Sequence, residues 1–238
     1  MAYLKRLTKD IEIMLSDEIL SFGIHYWYNE ADVKTGQGLV FGPEETPYAF
    51  CPLIFSIKVP GDYPFGSPEV LVLSSDGITR FHPNLYVTGK VCLSILGTFS
   101  GPKWASSMNI GTVFKSIFSL LNDNPIINEP GWEKYTLAHP IALHYAEWVE
   151  YNLLKYTIQT YRDYLYNTTT TWKNFKDVFD GDEWKKKWSK IGDKIQRLAT
   201  KGDKTYTGIP YRMSGKMDWK RCIEDYRYVN NILSSSKN

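Results

Sequence analysis

The sequence predicts an α+β fold, on three observations: helical spacing at the start, short strands after it, and helical spacing again in the second half. Apolar residues recur at three- and four-residue steps in residues 3–15, which describes an amphipathic helix. Residues 23–73 change to short β-branched and aromatic runs separated by Gly and Pro turns, typical of an antiparallel meander of about four strands. Hydrophobic residues make up 43% and aromatic residues 15% of the chain, so it can bury a substantial core.

Helical spacing returns in residues 110–121 and again in residues 141–165, where the apolar stripe continues past the end of a usual domain. The remainder is rich in Trp and Phe, predicts shorter helices, and has a turn-rich stretch at residues 202–215. We therefore expect a core domain over residues 1–150 and a basic, aromatic-rich, mainly helical C-terminal extension over residues 151–238.

The charge is unevenly distributed along the chain. The net charge is +2, with −6 in residues 1–150 and +8 in residues 151–238. A solvated basic extension folded against an acidic body is the simplest interpretation, and an acidic partner is the alternative. Aromatic residues interleave with Lys in residues 172–188, a pattern that would suit a nucleic-acid partner. We favour that partner less, because no binding groove can be read from a sequence.

The cysteines and the hydropathy pattern indicate a reducing compartment and no membrane. Three cysteines lie without any CxxC pair, so the sequence indicates neither a disulfide framework nor a zinc site, and we expect no metal site. No apolar run approaches the roughly 18 residues of a membrane span, and the basic start lacks the apolar segment of a signal peptide. We expect the protein in the cytoplasm, the nucleus or both.

Two irregular segments interrupt the regular pattern. Residues 60–68 hold three prolines, which fix φ and exclude regular structure. The aromatic pair around Pro64 favours an ordered loop, with Tyr63 and Phe65 at least partly buried. Residues 81–104 lack any period yet are partly apolar, which indicates an irregular segment packed on the core, where functional sites tend to lie.

That second segment carries the most specific motif, Phe-His-Pro-Asn-Leu-Tyr-Val-Thr-Gly-Lys-Val-Cys-Leu-Ser-Ile-Leu, over residues 81–96. It resembles the active-site signature of the ubiquitin-conjugating (E2) enzymes, in which a His-Pro-Asn tripeptide precedes the thioester cysteine by a fixed interval. Here His82 precedes Cys92 by ten positions. With the other landmarks in order, the resemblance covers roughly residues 1–150. It implies the E2 (UBC) fold, in the larger subclass that has a C-terminal extension.

Cys92 is the predicted nucleophile. A free cysteine is more often a small buried hydrophobe, which is the better interpretation for Cys51 and Cys222. Acyl transfer, however, needs a soft nucleophile that is also a good leaving group. The resemblance implies that Cys92, in an accessible groove, accepts ubiquitin or a ubiquitin-like protein from an E1 activating enzyme as a thioester. It then passes the modifier to a lysine of a protein substrate or to an E3 ligase. The E2 itself needs no cofactor, because E1 consumes the ATP upstream.

Several neighbours of the thiol receive roles from the same resemblance. An Asn that follows Pro commonly serves a turn by bonding nearby backbone, which is the simplest interpretation of Asn84. The resemblance implies in addition that Asn84 donates to the oxyanion that forms when lysine attacks the thioester. His82 and Pro83 support the loop. A protease dyad is improbable because the papain-like Cys-Gly-x-Cys pattern is absent. The acidic residue near the incoming lysine has no secure match, and Asn128 or Glu129 could take its place.

The resemblance also assigns partner surfaces. Lys5, Arg6 and Lys9 most simply form a solvated helix face, and by resemblance they meet the acidic surface of E1. Phe65 and Trp104 are assigned to E3 binding. The alternative function is a catalytically inactive E2-like module that only binds ubiquitin or a partner, which the retained cysteine disfavours.

Overall fold

The predicted opening helix is present as α1 (Ala2–Met14), in a computed structural model that describes residues 2–235. Met1 and residues 236–238 of the predicted extension lie outside the described part. Leu7, Ile11 and Met14 form the buried stripe of α1, as the spacing predicts. A short helix α2 (Asp17–Ser21) then leads the chain into the sheet.

The predicted meander is confirmed as an antiparallel sheet of four strands within residues 2–235, in the order β1-β2-β3-β4. The strands are β1 (Ile24–Tyr28), β2 (Thr35–Phe41), β3 (Pro52–Lys58) and β4 (Glu69–Val72). Helix α3 (Ile110–Leu120) packs against the sheet at Gly38, where an added Cβ would lie 2.1 Å from the Phe114 ring. The core therefore lies between this face of the sheet and the helices.

The proline-rich loop is ordered, but its two aromatic residues differ in burial. Tyr63 is buried, with its ring centroid 5.9 Å from that of Trp104 and its hydroxyl donating to Asp10. Phe65 is 80% exposed, so the expectation of partial burial was wrong. A tight turn, closed by the Phe65 N–H donating to the Asp62 carbonyl at 2.8 Å, leaves the Phe65 ring in solvent.

Helix α4 (Pro140–Leu165) is 26 residues long and runs through the predicted domain boundary at residue 150. The two segments are therefore joined by a continuous helix. Among residues 2–235, neither α4 nor another helix is apolar enough over sufficient length to cross a membrane.

The extension is mainly helical, with one element that the sequence analysis missed. Its helices are α5 (Lys176–Asp180), α6 (Asp182–Ala199) and α7 (Trp219–Ser235). Between α6 and α7 a β-hairpin, β5 (Lys204–Ile209) and β6 (Met213–Met217), occupies most of the stretch predicted as turns. Because β5 and β6 pair antiparallel, the residues between them, 210–212, form the tip of the hairpin.

Aromatic residues attach the extension to the sheet. The Trp184 ring of α6 stacks on Phe41 of β2, with centroids 5.9 Å apart and planes at 21°. Trp172 stacks on Phe179 at 4.0 Å, and Trp184 meets Tyr161 of α4 edge-on at 5.1 Å. Each such pair contributes about 0.5–1.5 kcal/mol beyond its buried area. One hydrophobic core thus runs through both segments.

Candidate active site

Cys92 and Asn84 are joined by two hydrogen bonds. The Cys92 N–H donates to the Asn84 carbonyl at 2.8 Å, and Asn84 Nδ2 donates to the Cys92 carbonyl at 2.7 Å. Val91 and Leu93, on either side of the cysteine, are buried in the hydrophobic core, and Cys92 lies between them in an irregular segment. The cysteine is only 5% exposed, so it is less accessible than the sequence analysis expected.

The turn after Cys92 is held by the side chain of Thr98, a residue that the sequence analysis missed. A 3-10 helix, Ser94–Leu96, ends at Gly97, whose φ of 69° is a left-handed conformation that favours glycine. The Thr98 hydroxyl then donates to the Val91 carbonyl at 2.7 Å and accepts from the Leu93 N–H at 3.0 Å. A small hydroxyl residue directly after a turn glycine was the available signal in the sequence.

The Asn84 side chain is buried beside the cysteine with its amide plane fixed. Because a carbonyl can only accept, the amide NH₂ must face the Cys92 carbonyl. This leaves the buried Asn84 Oδ1 without a hydrogen-bond partner within residues 2–235. An amide nitrogen carries two N–H groups, so Nδ2 keeps one donor beyond the bond to Cys92.

His82 is fully buried and its ring nitrogens are occupied. Nδ1 accepts the Asn84 N–H at 3.0 Å, which assigns the ring proton to Nε2, where it bonds the Leu120 backbone. Burial lowers the pKa of His82 to about 3, and the nearby Arg80 charge acts in the same direction. The neutral ring therefore has no free lone pair to take a proton from a thiol at neutral pH.

Arg80, which the sequence analysis also missed, stabilises the His-Pro-Asn loop. Its guanidinium lies 3.6 Å from the Tyr86 ring centroid and 4.1 Å from that of Tyr211, so it is held between two aromatic faces. Its Nε donates to the Pro83 carbonyl at 3.1 Å, one residue before Asn84. No local pattern indicates this arrangement, because Tyr211 is distant in the sequence.

Asn128 and Glu129, the two candidates for the residue near the incoming lysine, differ in their contacts. Asn128 ends a 3-10 helix, and its Nδ2 lies 3.1 Å from the Pro125 carbonyl and 3.4 Å from His82 Nε2. Glu129 accepts the Tyr211 hydroxyl at 2.6 Å. The two candidates thus have different neighbours: Asn128 contacts the loop and Glu129 contacts the extension.

The basic residues of α1 are not equivalent. Lys5 and Lys9 are exposed, as expected of a solvated face. Arg6 is half-buried: its Nε lies 2.9 Å from Asp10 Oδ1, and its Nη1 donates to the Ser106 carbonyl at 2.8 Å. The expectation that Arg6 belongs to the solvated face was wrong, because these contacts hold its guanidinium against the loop before α3.

Trp104 and Phe65 lie on neighbouring parts of one surface. The Trp104 indole donates to the Pro64 carbonyl at 2.7 Å and is half-buried. The adjacent Phe65 extends into solvent. The structure therefore brings the two residues assigned to ligase binding together through Pro64.

Cys51 and Cys222 are buried as well. Burial raises the pKa of the Cys51 thiol, and it raises the pKa of Cys222 to about 12. Both therefore remain protonated at neutral pH. Within the described residues, no group of three or more His, Cys, Asp and Glu side chains is arranged to hold a metal ion.

Comparisons with known proteins agree on one family. The family model described as "Ubiquitin-conjugating enzyme" matches residues 6–138, more than half of the chain. "Ubiquitin-conjugating enzyme E2 Z" of Danio rerio is 44% identical over 104 residues, which is 43% of this chain and 32% of that protein. "Probable ubiquitin-conjugating enzyme protein 17" of Caenorhabditis elegans is 34% identical over 193 residues, 77% of this chain and 26% of that protein. The chain thus spans about a third or less of these relatives.

A solved structure is also similar to the chain. It is the E2 domain of a Toxoplasma gondii ubiquitin conjugating enzyme, with a TM-score of 0.44 and 26% identity. The match covers 60% of this chain and 96% of that one.

Proposed function

The chain belongs to the ubiquitin-conjugating enzyme family, and we propose that it carries ubiquitin or a ubiquitin-like protein as a thioester on Cys92. The observation that carries this proposal is the pair of hydrogen bonds between Cys92 and Asn84. They hold an amide donor beside Cys92, in the irregular segment that carries the His-Pro-Asn motif. Burial raises the pKa of Cys51 and the pKa of Cys222, which makes both of them poor nucleophiles at neutral pH.

The proposed cycle has two acyl transfers. In the first, the Cys92 thiolate attacks the carbonyl carbon of the modifier on E1, a new S–C bond forms, and the E1 thiolate leaves. In the second, a lysine amine or an E3 thiol attacks, and the Cys92 thiolate leaves. The second N–H of Asn84 Nδ2 supplies a donor for the oxyanion in these steps. ATP is used by E1, and the E2 requires no cofactor or metal.

The amine proton must go to an acceptor other than His82. With a pKa of about 3, His82 is too weak a base at neutral pH. Glu129 and Asn128 remain the candidates beside the lysine, and only Glu129 can accept a proton as a carboxylate. We therefore assign to Glu129 the orientation and deprotonation of the incoming amine.

The residues proposed to bind E1 and E3 differ in how far they are occupied by contacts within the chain. Lys5 and Lys9 are free to meet an acidic surface of E1, whereas Arg6 is committed to contacts within the chain. Phe65 with Trp104 offers an apolar contact for an E3. A cytoplasmic or nuclear location fits three free cysteines.

The decisive experiment is charging with E1, ATP and ubiquitin, followed by a non-reducing gel. We expect an adduct that reductant removes and that Cys92→Ala abolishes. Cys92→Ser should give an ester that resists reductant, and Cys222→Ala is the matched control that should still charge. An adduct that persists in Cys92→Ala would overturn the assignment.

The low exposure of Cys92 favours one alternative, a non-catalytic module that binds ubiquitin without a covalent bond. Alkylation of the native protein by iodoacetamide separates the two functions. A thiol that charges must also be reached by this small reagent, so Cys92 should be modified while Cys51 is protected. Protection of Cys92, together with failure to charge across a panel of E1 and modifier pairs, would favour the binding module.

A further inference from the structure

The tip of the β5–β6 hairpin reaches the loop that carries Asn84. Two consecutive non-glycine residues form this tip in the left-handed region, Tyr211 with φ 64° and Arg212 with φ 59°. Such conformations are disfavoured for residues with a Cβ, so they persist only where surrounding contacts maintain them. The contacts of Tyr211 supply that stabilisation.

Tyr211 makes two separate contacts with the active-site region. Its ring covers the Arg80 guanidinium at 4.1 Å, and its hydroxyl donates to Glu129 Oε2 at 2.6 Å. Burial, and then the hydrogen bond to Glu129, raise the pKa of Tyr211. The hydroxyl therefore stays protonated and is the donor in this bond.

Arg80 links Tyr211 to the segment that carries Asn84 and Cys92. Arg80 donates to the Pro83 carbonyl, and the next residue, Asn84, bonds Cys92. Other residues of the C-terminal half hold the Arg80 backbone: the Tyr145 hydroxyl donates to its carbonyl at 2.8 Å, and the Met213 sulfur accepts its N–H at 3.4 Å. The ring of Tyr211 is thus connected through Arg80 to the segment that carries Asn84 and Cys92. Its hydroxyl bonds Glu129 alone.

We propose that Tyr211 is a positioning residue for transfer to an amine, through which the C-terminal extension completes the active site. Its hydroxyl holds the Glu129 carboxylate in one orientation for the incoming lysine, and its ring presses Arg80 against Pro83. This inference rests on the proposed function of Cys92 and Glu129. A carboxylate without this donor samples other rotamers and orients an amine less often.

The two contacts can be separated by substitution. Tyr211→Phe removes only the hydroxyl bond to Glu129, whereas Tyr211→Ala also removes the ring from Arg80. Tyr206→Phe is the matched control, because the Tyr206 hydroxyl of the same hairpin donates to a different carboxylate, Glu147. The three variants therefore distinguish loss of the Glu129 bond from general weakening of the hairpin.

The experiment measures discharge of preformed ubiquitin thioester after E1 is stopped with EDTA. Each variant is offered either free lysine or the thiol N-acetylcysteine. An amine needs the carboxylate and a thiolate does not, so Tyr211→Phe should lower the ratio of the lysine rate to the thiol rate about 10- to 100-fold, the range for a hydrogen bond to a charged group. Tyr211→Ala should slow both rates, and Tyr206→Phe should match the wild type.

A double-mutant cycle adds a test that a purely structural role would fail. Glu129→Gln should lower the same ratio, and adding Tyr211→Phe should lower it no further. Additive effects, equal loss of both rates in Tyr211→Phe, or a wild type that discharges only to thiols would overturn the proposal. A wild type that fails to charge would instead overturn the function proposed for Cys92.

Discussion

Replacing Lys194 of α6 tests whether the core and the extension form one cooperative unit. Its side chain is 3% exposed, and its ammonium lies 3.0 Å from Glu150 Oε1. The same ammonium donates to the carbonyls of Thr46 at 3.2 Å and Pro47 at 3.1 Å, in the connection from β2 to β3. All three of its N–H groups thus have partners on α4 and near the sheet.

The expected magnitude follows from these partners. Lys194→Ala leaves Glu150 without its cation, leaves two carbonyls without a donor and opens a cavity. Breaking a buried pair costs about 3–5 kcal/mol. Because the Glu150 side chain is 19% exposed and water can reach it, we expect the lower end, about 3 kcal/mol. Lys194→Met, which fills the cavity, should cost less.

The assay is urea denaturation followed by far-UV circular dichroism and by tryptophan fluorescence. Trp27 lies in the sheet and Trp184 in the extension, so fluorescence reports both segments. The two probes should give coincident transitions that shift together in Lys194→Ala. The matched control is Lys190→Ala: Lys190 is 52% exposed and bonds Glu44 across the same interface at 2.8 Å. That exposed pair should contribute much less than the buried one, because water screens its charges.

Two results would refute the reasoning. A loss below about 1 kcal/mol in Lys194→Ala would mean that the buried pair is not maintained in solution. A first transition confined to the extension would mean that it unfolds separately from the core.

Asn84→Ala should slow discharge to lysine about 10²- to 10³-fold, measured on preformed thioester, and a change below threefold would contradict the oxyanion role proposed for Asn84. Because the folded-state pKa of His82, about 3, lies below its unfolded value, only the unfolded state gains this proton at mildly acid pH. The free energy of unfolding should then fall by about 2 kcal/mol between pH 7.5 and 5, and His82→Phe should flatten that slope. Phe65→Ala should change stability by less than about 0.5 kcal/mol while slowing E3-stimulated discharge; unchanged discharge with several E3 ligases would exclude this surface.

Local periodicity predicted the elements whose burial is set by their own sequence. The apolar steps in α1 and the strand runs of the meander were confirmed, because a helix face and a strand face follow directly from residue spacing. The β5–β6 hairpin was missed, since its strands are short and glycines at 208 and 215 resemble loop residues.

Long-range contacts account for the other differences. Spacing alone places Arg6 on a solvated face, but the carbonyl of Ser106 holds it. Two aromatic residues beside one proline could not be ranked by burial, because the position of Trp104 decides that Tyr63 is covered and Phe65 is not. At the site, the motif predicts Cys92 and its neighbours, whereas nothing in the sequence joins Arg80 to the hairpin.

Several residues that contact Arg80 follow the segment matched by the family model. The family match ends at residue 138, yet Tyr145, Tyr211 and Met213 all bond or cover Arg80, beside the His-Pro-Asn loop. A fragment cut at the predicted boundary of residue 150 would end inside α4, retain Tyr145 and lose the hairpin. It would also uncover the Phe41 ring on which Trp184 stacks. The environment of the His-Pro-Asn loop is therefore set in part by residues beyond the family match, and acceptor preference should be measured on the full chain.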